Sequence, residues 1–224
     1  MSEPWDAPSA ALSPDYGAGA ERLAVAGAAR RLLRAARVTE VGGSAASEAV
    51  KLIERAAGLL EAAPMPDLHR QGVMGDLNPG FESRDPMAFF PYSPIIGRLN
   101  PVSPPAEFWA EGDEVHGRMK LSAVYAGPPG MVHGGIIAMV FDELLGVVNV
   151  VNGTGGYTGT LKVVYQRPTP LQREITMRAW PAGGEGRKLF AAGEMVCDEA
   201  VTASAEGIFV RASPHQGEEA RGRG

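Results

Sequence analysis

The segment Ile136 to Val151 constrains this chain most. It is apolar almost all the way round, with only Asp142, Glu143 and Asn149 breaking the run. A helix of that kind is buried on most sides. Its longest purely apolar stretch with a helical look, Ile136 to Phe141, falls far short of the ~20 residues of a membrane span. A sheet must therefore wrap it. Asp142 and Glu143 then stand in the middle of a buried element. A buried carboxylate without a partner is costly, and burial raises its pKa. Either one acid faces solvent and the other is hydrogen-bonded structure, or one of them carries chemistry.

Strand-like runs surround this helix. Val115–Val124 precedes it, and Thr158–Gln166, Glu174–Trp180, Leu189–Cys197 and Ala200–Val210 follow, with turns at Pro168 to Pro170, Gly183-Gly184 and Asp198-Glu199. One strand, one helix and four sequential strands predict an α+β fold, with the helix beside a meandering antiparallel sheet.

The first half of the chain reads differently. Residues 1–17, with Pro4, Pro8, Pro14 and Gly17, are expected to be disordered. Residues 18–66 predict a helical hairpin broken at Gly42-Gly43. In its first helix Arg30, Arg31, Arg34 and Arg37 form a solvated basic side. In its second, Val50, Ile53, Ala57 and Leu60 form an apolar stripe that Pro64 and Pro66 end. Residues 67–106 form a Pro-rich arm. Its aromatics Phe81, Phe89, Phe90 and Tyr92 are expected to pack on the neighbouring core. The main domain spans 107–212, and 213–224 is a polar, disordered tail.

Several function classes drop out. The acidic start has no apolar run behind it, so no signal peptide is expected and the location is cytoplasmic. Cys197 is the only cysteine, which excludes an internal disulfide and a cysteine-based zinc site. The net charge of −5 argues against non-specific DNA binding. His69, His116 and His215 have no partner at a motif spacing, and no metal site is expected. Gly153 to Gly156 follows the apolar helix instead of opening one, so it is no dinucleotide loop.

His133-Gly134-Gly135 opens the central helix. Two glycines there allow close backbone approach and leave free N–H groups at the electropositive helix end. Such groups can polarise a carbonyl and hold a developing oxyanion. Asp142 lies eight residues beyond Gly134, about 12 Å along the axis at ~1.5 Å per residue. One helix cannot bring both ends of that span onto a single carbonyl, so a second surface or a second subunit must complete the site. In the strand after the helix, period-two alternation puts Thr158, Thr160, Lys162, Val164 and Gln166 on one face. That face is either solvated or lines a polar ligand.

These features resemble a known family. Gly127-Pro-Pro-Gly-Met-Val-His133-Gly-Gly135, Asp142 nine residues after His133, and Thr158 leading a strand into Arg167-Pro-Thr-Pro170 look like the hotdog-fold acyl-CoA thioesterases of the PaaI/4HBT type. Glu185-Gly-Arg-Lys-Leu-Phe190 also matches, within the thioesterase-superfamily-member subgroup. The resemblance implies a sheet wrapped round the central helix, two subunits joined edge to edge as a homodimer or dimer of dimers, and active sites at the interface. It implies hydrolysis of an acyl-CoA, with the CoA ester as substrate and no further cofactor, nucleic acid or membrane. Carried over, Asp142 is the carboxylate, as general base on water or as nucleophile. The Gly134 N–H polarises the carbonyl, and His133 orients the carbonyl or the thiolate side. Thr158, from the facing subunit, positions the water. Gly135, Lys162, Gln166, Arg187 and Lys188 are implied substrate contacts, the last two near the CoA phosphates. Many relatives carry an Asn at the position of Gly127, as a second carbonyl donor. Its absence keeps open a non-catalytic acyl-CoA-binding protein, and Glu143 remains an alternative to Asp142.

Overall fold

A computed structural model describes residues 20–64 and 85–211. The expected disordered segments at 1–17 and 213–224, with Phe81, His69 and His215, lie outside the described residues.

The apolar segment forms one helix, α4 (Gly134–Val151). Phe141, Leu144, Leu145 and Val148 on it are wholly buried. By length and composition α4 does meet the measure of a membrane-crossing helix. The expectation drawn from Ile136 to Phe141 was too narrow, because Asp142 and Glu143 interrupt the run without ending its apolar character. In this fold a sheet supplies the apolar surroundings.

That sheet has six antiparallel strands: β1 (Ala106–Glu111), β2 (Glu114–Lys120), β3 (Tyr157–Tyr165), β4 (Glu174–Glu185), β5 (Lys188–Cys197) and β6 (Ala200–Val210). Strict alternation of buried and less buried residues along β5 leaves one face on the helix and the other turned away from it. β1 was not expected. Its signal is short, with Ala106 and Phe108 buried in the core and Ala110 partly buried against it. The spatial order is β1-β2-β4-β5-β6-β3, so the sheet is not a simple meander: β4, β5 and β6 are, but β3 crosses to the far edge. The β3–β4 connection is stitched to the loop that enters α4. Val132 N–H donates to Thr169 O at 2.8 Å and Leu171 N–H to Gly130 O at 2.9 Å. The expected turn at Gly183-Gly184 is instead an irregularity within β4. The chain reverses at Gly186-Arg187, where Glu185 pairs with Lys188 and Gly186 takes φ +59°.

Two helices precede the sheet, α1 (Ala20–Val38) and α2 (Gly43–Glu61). α1 buries Ala26 and Arg30, while α2 buries no residue, leaving Val50 and Leu60 exposed. A short turn of helix, α3 (Pro86–Phe89), and the Pro-rich segment after it lie on the core. Phe90, Ile95 and Ile96 are buried there, as aromatics among prolines suggested.

Candidate active site

Asp142 projects from the middle of α4, half-buried, toward the edge strand β3. The Thr158 hydroxyl donates to its Oδ1 at 2.8 Å. Both residues belong to the same chain, which corrects the expectation that Thr158 reaches the site from the facing subunit.

Thr158 reaches Asp142 because β3 is irregular. In the pairing with β6, Thr158 opposes Phe209 and Thr160 opposes Ile208, so Gly159 is an extra residue. Phe209 is buried in the helix-facing core. The bulge therefore turns Thr158 onto that inner face, together with Leu161, Val163 and Tyr165. Strict alternation placed Thr158 on one face with Lys162 and Gln166, and the bulge separates them. Lys162 lies on the outer face with its ammonium 3.1 Å from Glu206, and Gln166 donates to Ser204 Oγ at 2.7 Å. Neither shares the Asp142 face.

The other end of α4 is built by His133. It caps the helix, its Nδ1 accepting the Gly135 N–H at 3.0 Å. That bond makes Nδ1 the acceptor, so in the neutral ring Nε2 carries the proton and can donate outward. It also removes the Gly135 N–H from the donors a substrate could use. A Cβ on Gly135 would meet the His133 ring at 3.1 Å, whereas one on Gly134 would meet only the Tyr165 ring, at 3.6 Å. A side chain on Gly135 would thus press on the capping ring. Gly134 is not needed by its own surroundings, although glycine in a helix costs about 1 kcal/mol relative to alanine. Space kept open beside an N–H at a helix N-terminus suits an incoming oxyanion.

Sequence reasoning missed Tyr165. Its hydroxyl donates to Gly134 O at 2.9 Å, pinning the edge strand to the helix start. The available signal was its alternation with Leu161 and Val163.

Arg187 sits in the β4–β5 turn, and its guanidinium donates to Arg211 O at 2.9 and 3.3 Å. Lys188 and Arg211 line a cavity of about 390 Å³ with Asn149, Asn152 and Thr154 at the end of α4. Register ties this cavity to the carboxylate. Lys188, Val210 and Tyr157 form one row across the sheet, and Leu189, Phe209 and Thr158 the next. At ~4.8 Å between strands, the Lys188 backbone is roughly 10 Å from that of Tyr157.

No family model matches the chain. A crystal structure of a thioesterase superfamily protein superposes with a TM-score of 0.76 at 31% identity, covering 86% of this chain and 91% of that one. The chain belongs to the thioesterase superfamily. Curated relatives include acyl-coenzyme A thioesterase THEM4 of Mus musculus, 29% identical over 92 residues, and that of Bos taurus, 32% identical over 94. Each match covers 40% of this chain, and 40% and 38% of the respective relatives. The chain thus matches about two fifths of the length of these curated relatives.

The hotdog architecture expected of a thioesterase superfamily member, a sheet wrapped round one helix, is the observed fold. Gly127, the position where the resemblance implies an asparagine in many relatives, has little room for a side chain. A Cβ there would lie 2.7 Å from His133 Cα and 3.1 Å from its N. The backbone of His133 occupies the space an asparagine would need.

Proposed function

We propose that this protein hydrolyses acyl-CoA thioesters as a homodimer, with each site shared between subunits. The Asp142–Thr158 hydrogen bond carries this reading. It presents an oriented, half-buried carboxylate on the inner face of an edge strand. The Gly134 N–H lies two helical turns away, too far for one carbonyl. A second copy joined along the exposed β3 edge, where Tyr157, Val164 and Tyr165 are accessible, would bring Gly134 and His133 of the partner subunit opposite Asp142 and Thr158.

In this site the Gly134 N–H and His133 Nε2–H receive the thioester oxygen. Asp142 takes a proton from water as the water oxygen bonds to the carbonyl carbon. The C–S bond then breaks, and the proton passes to the CoA thiolate or to solvent. In the alternative, Asp142 attacks the carbonyl carbon directly, and the C–S bond breaks to release the CoA thiolate and leave a mixed anhydride. Water then opens the anhydride to the free acid and the Asp142 carboxylate, with the proton passing to the thiolate or to solvent. Asp142 suits either role better than Glu143, because the Thr158 contact is made to Asp142. Lys188 and Arg211 supply cationic partners for the CoA phosphates. With position 127 closed, His133 takes the place of the second carbonyl donor.

Free-thiol release is measured on short, medium, long and aryl acyl-CoAs, for the wild type beside Asp142→Asn and Thr158→Ala. Turnover by the wild type and its loss in Asp142→Asn, with the dimer intact, support the reading. Tight binding of CoA esters with no turnover of any of them would make this a binding protein instead.

A further inference from the structure

The arginines of α1 read as a solvated face, but Arg30 is buried. Its Nε donates to Ser103 O at 3.0 Å, and one terminal nitrogen donates to Arg98 O at 3.1 Å and Asn100 O at 3.0 Å. One guanidinium thus holds three carbonyls of a single turn. The turn is stiff: Ser103 Oγ donates to Gly97 O at 2.6 Å, and Asn100 Nδ2 donates to Tyr92 O at 3.0 Å. Farther up α1, the Arg22 guanidinium lies 5.6 Å over the Tyr92 ring. Helix and turn are locked together at two points.

The same turn is held from its other side. Tyr125 donates its hydroxyl to Val102 O at 2.8 Å. Val102 lies between Asn100 and Ser103, the acceptors of Arg30. Tyr125 ends a short 3-10 turn that packs under α1. Its own carbonyl accepts the His133 N–H at 3.0 Å, and His133 caps α4. Hydrogen bonds joined by the backbone of the 98–103 turn and by the frame of Tyr125 therefore lead from Arg30 to His133, the residue that precedes Gly134 and caps α4.

We propose that Arg30 is a positioning residue: through the 98–103 turn and Tyr125 it sets the placement of His133 and Gly134, making the N-terminal helix part of the apparatus that polarises the substrate carbonyl. The step from placement to turnover rests on the thioesterase reading above, but the placement itself does not. Lysine cannot replace this arginine. Its ammonium is a point donor on a flexible stem, whereas the planar fork reaches three separated carbonyls at once. A displacement of about 1 Å near reacting groups can cost on the order of a hundredfold in rate.

The test compares wild type, Arg30→Lys and Arg30→Met as full chains, well below their unfolding midpoints. It reads kcat, KM and the hydrogen exchange of segments 126–137 and 188–197. Arg30→Lys is expected to lower kcat by roughly tenfold or more, with KM changed less than about twofold. Exchange over 126–137 is expected to speed up by about fivefold or more, with 188–197 unchanged. Arg30→Met is expected to behave like Arg30→Lys. A lower unfolding midpoint with kcat and exchange at 126–137 both as in wild type would show Arg30 to be merely structural and overturn the proposal. Exchange speeded equally in both segments would do the same. If the wild type releases no thiol from any ester, the thioesterase reading fails, and the exchange pattern alone still decides whether Arg30 sets the start of α4.

Discussion

Thr158 and Asp142 lie sixteen residues apart and meet across 2.8 Å, hydroxyl to carboxylate. The bond bridges the edge strand and the central helix. It holds one carboxylate oxygen and leaves the other free for water. Replacing Thr158 with Ala is expected to lower turnover by about tenfold while Ser retains most of it, because the hydroxyl is what the position supplies. Asp142→Asn removes the base and is expected to cost about 10²–10⁴-fold. Thiol-release rates on folded variants check both, and a Thr158→Ser variant as impaired as Thr158→Ala would falsify the hydroxyl's role.

The two helix-opening glycines should respond in opposite ways. Alanine at Gly134 meets only ordinary contact with Tyr165 at 3.6 Å, so the folded state is expected to hold or gain up to about 1 kcal/mol. Turnover should nonetheless fall, as the new methyl occupies the oxyanion's approach. Alanine at Gly135 presses on the His133 ring at 3.1 Å. Loss of the cap costs about 0.5–2 kcal/mol, which offsets the helical gain. Thermal melts beside activity assays separate the two effects.

Restoring the missing asparagine should not restore a donor. At Gly127 the new Cβ would fall 2.7 Å from the His133 backbone, and overpacking of that kind costs about 1–3 kcal/mol. Gly127→Asn is expected to lower the melting temperature and to leave turnover no higher than wild type. A variant of undiminished stability and raised kcat would show that the loop yields and the donor is usable.

Tyr125 predicts an alkaline weakness. Burial pushes its phenol up to about 12, with the Arg30 and then the Arg34 charge acting in the opposite direction. The folded chain holds that proton more tightly than the unfolded chain, where tyrosine titrates near ~10. The resulting stabilisation is complete below pH ~10 and is lost as pH rises through about 12. Tyr125→Phe is expected to be less stable at pH 8, through loss of the Val102 bond, and to lose less on going to pH 11. Urea unfolding of both proteins at the two pH values provides the comparison.

Much of this protein could be read along the chain. A segment apolar on every side has to be surrounded, and the alternating segments after it are the material to surround it. That logic, which is local and periodic, recovered α4 and the strands β2 to β6. The places of His133, Gly134 and Asp142 before, at the start and in the middle of one helix were legible, because spacing along a helix is set by its rise per residue, while their roles are what the family resemblance implies. The spatial structure decided what depends on irregularity or on distant partners. The extra residue at Gly159 turns Thr158 inward and leaves Lys162 and Gln166 outside, reversing a face assignment that period two could not correct. β3 takes the sheet edge through a crossover that no local propensity encodes. Arg30 looks like any arginine on a basic helix until three carbonyls some seventy residues away close around it, and Gly127 looks like a lost donor until the backbone of His133 is seen to fill its place. The Gly127 contact spans six residues and the others join residues far apart in the chain, but all of them exist only once the chain has folded.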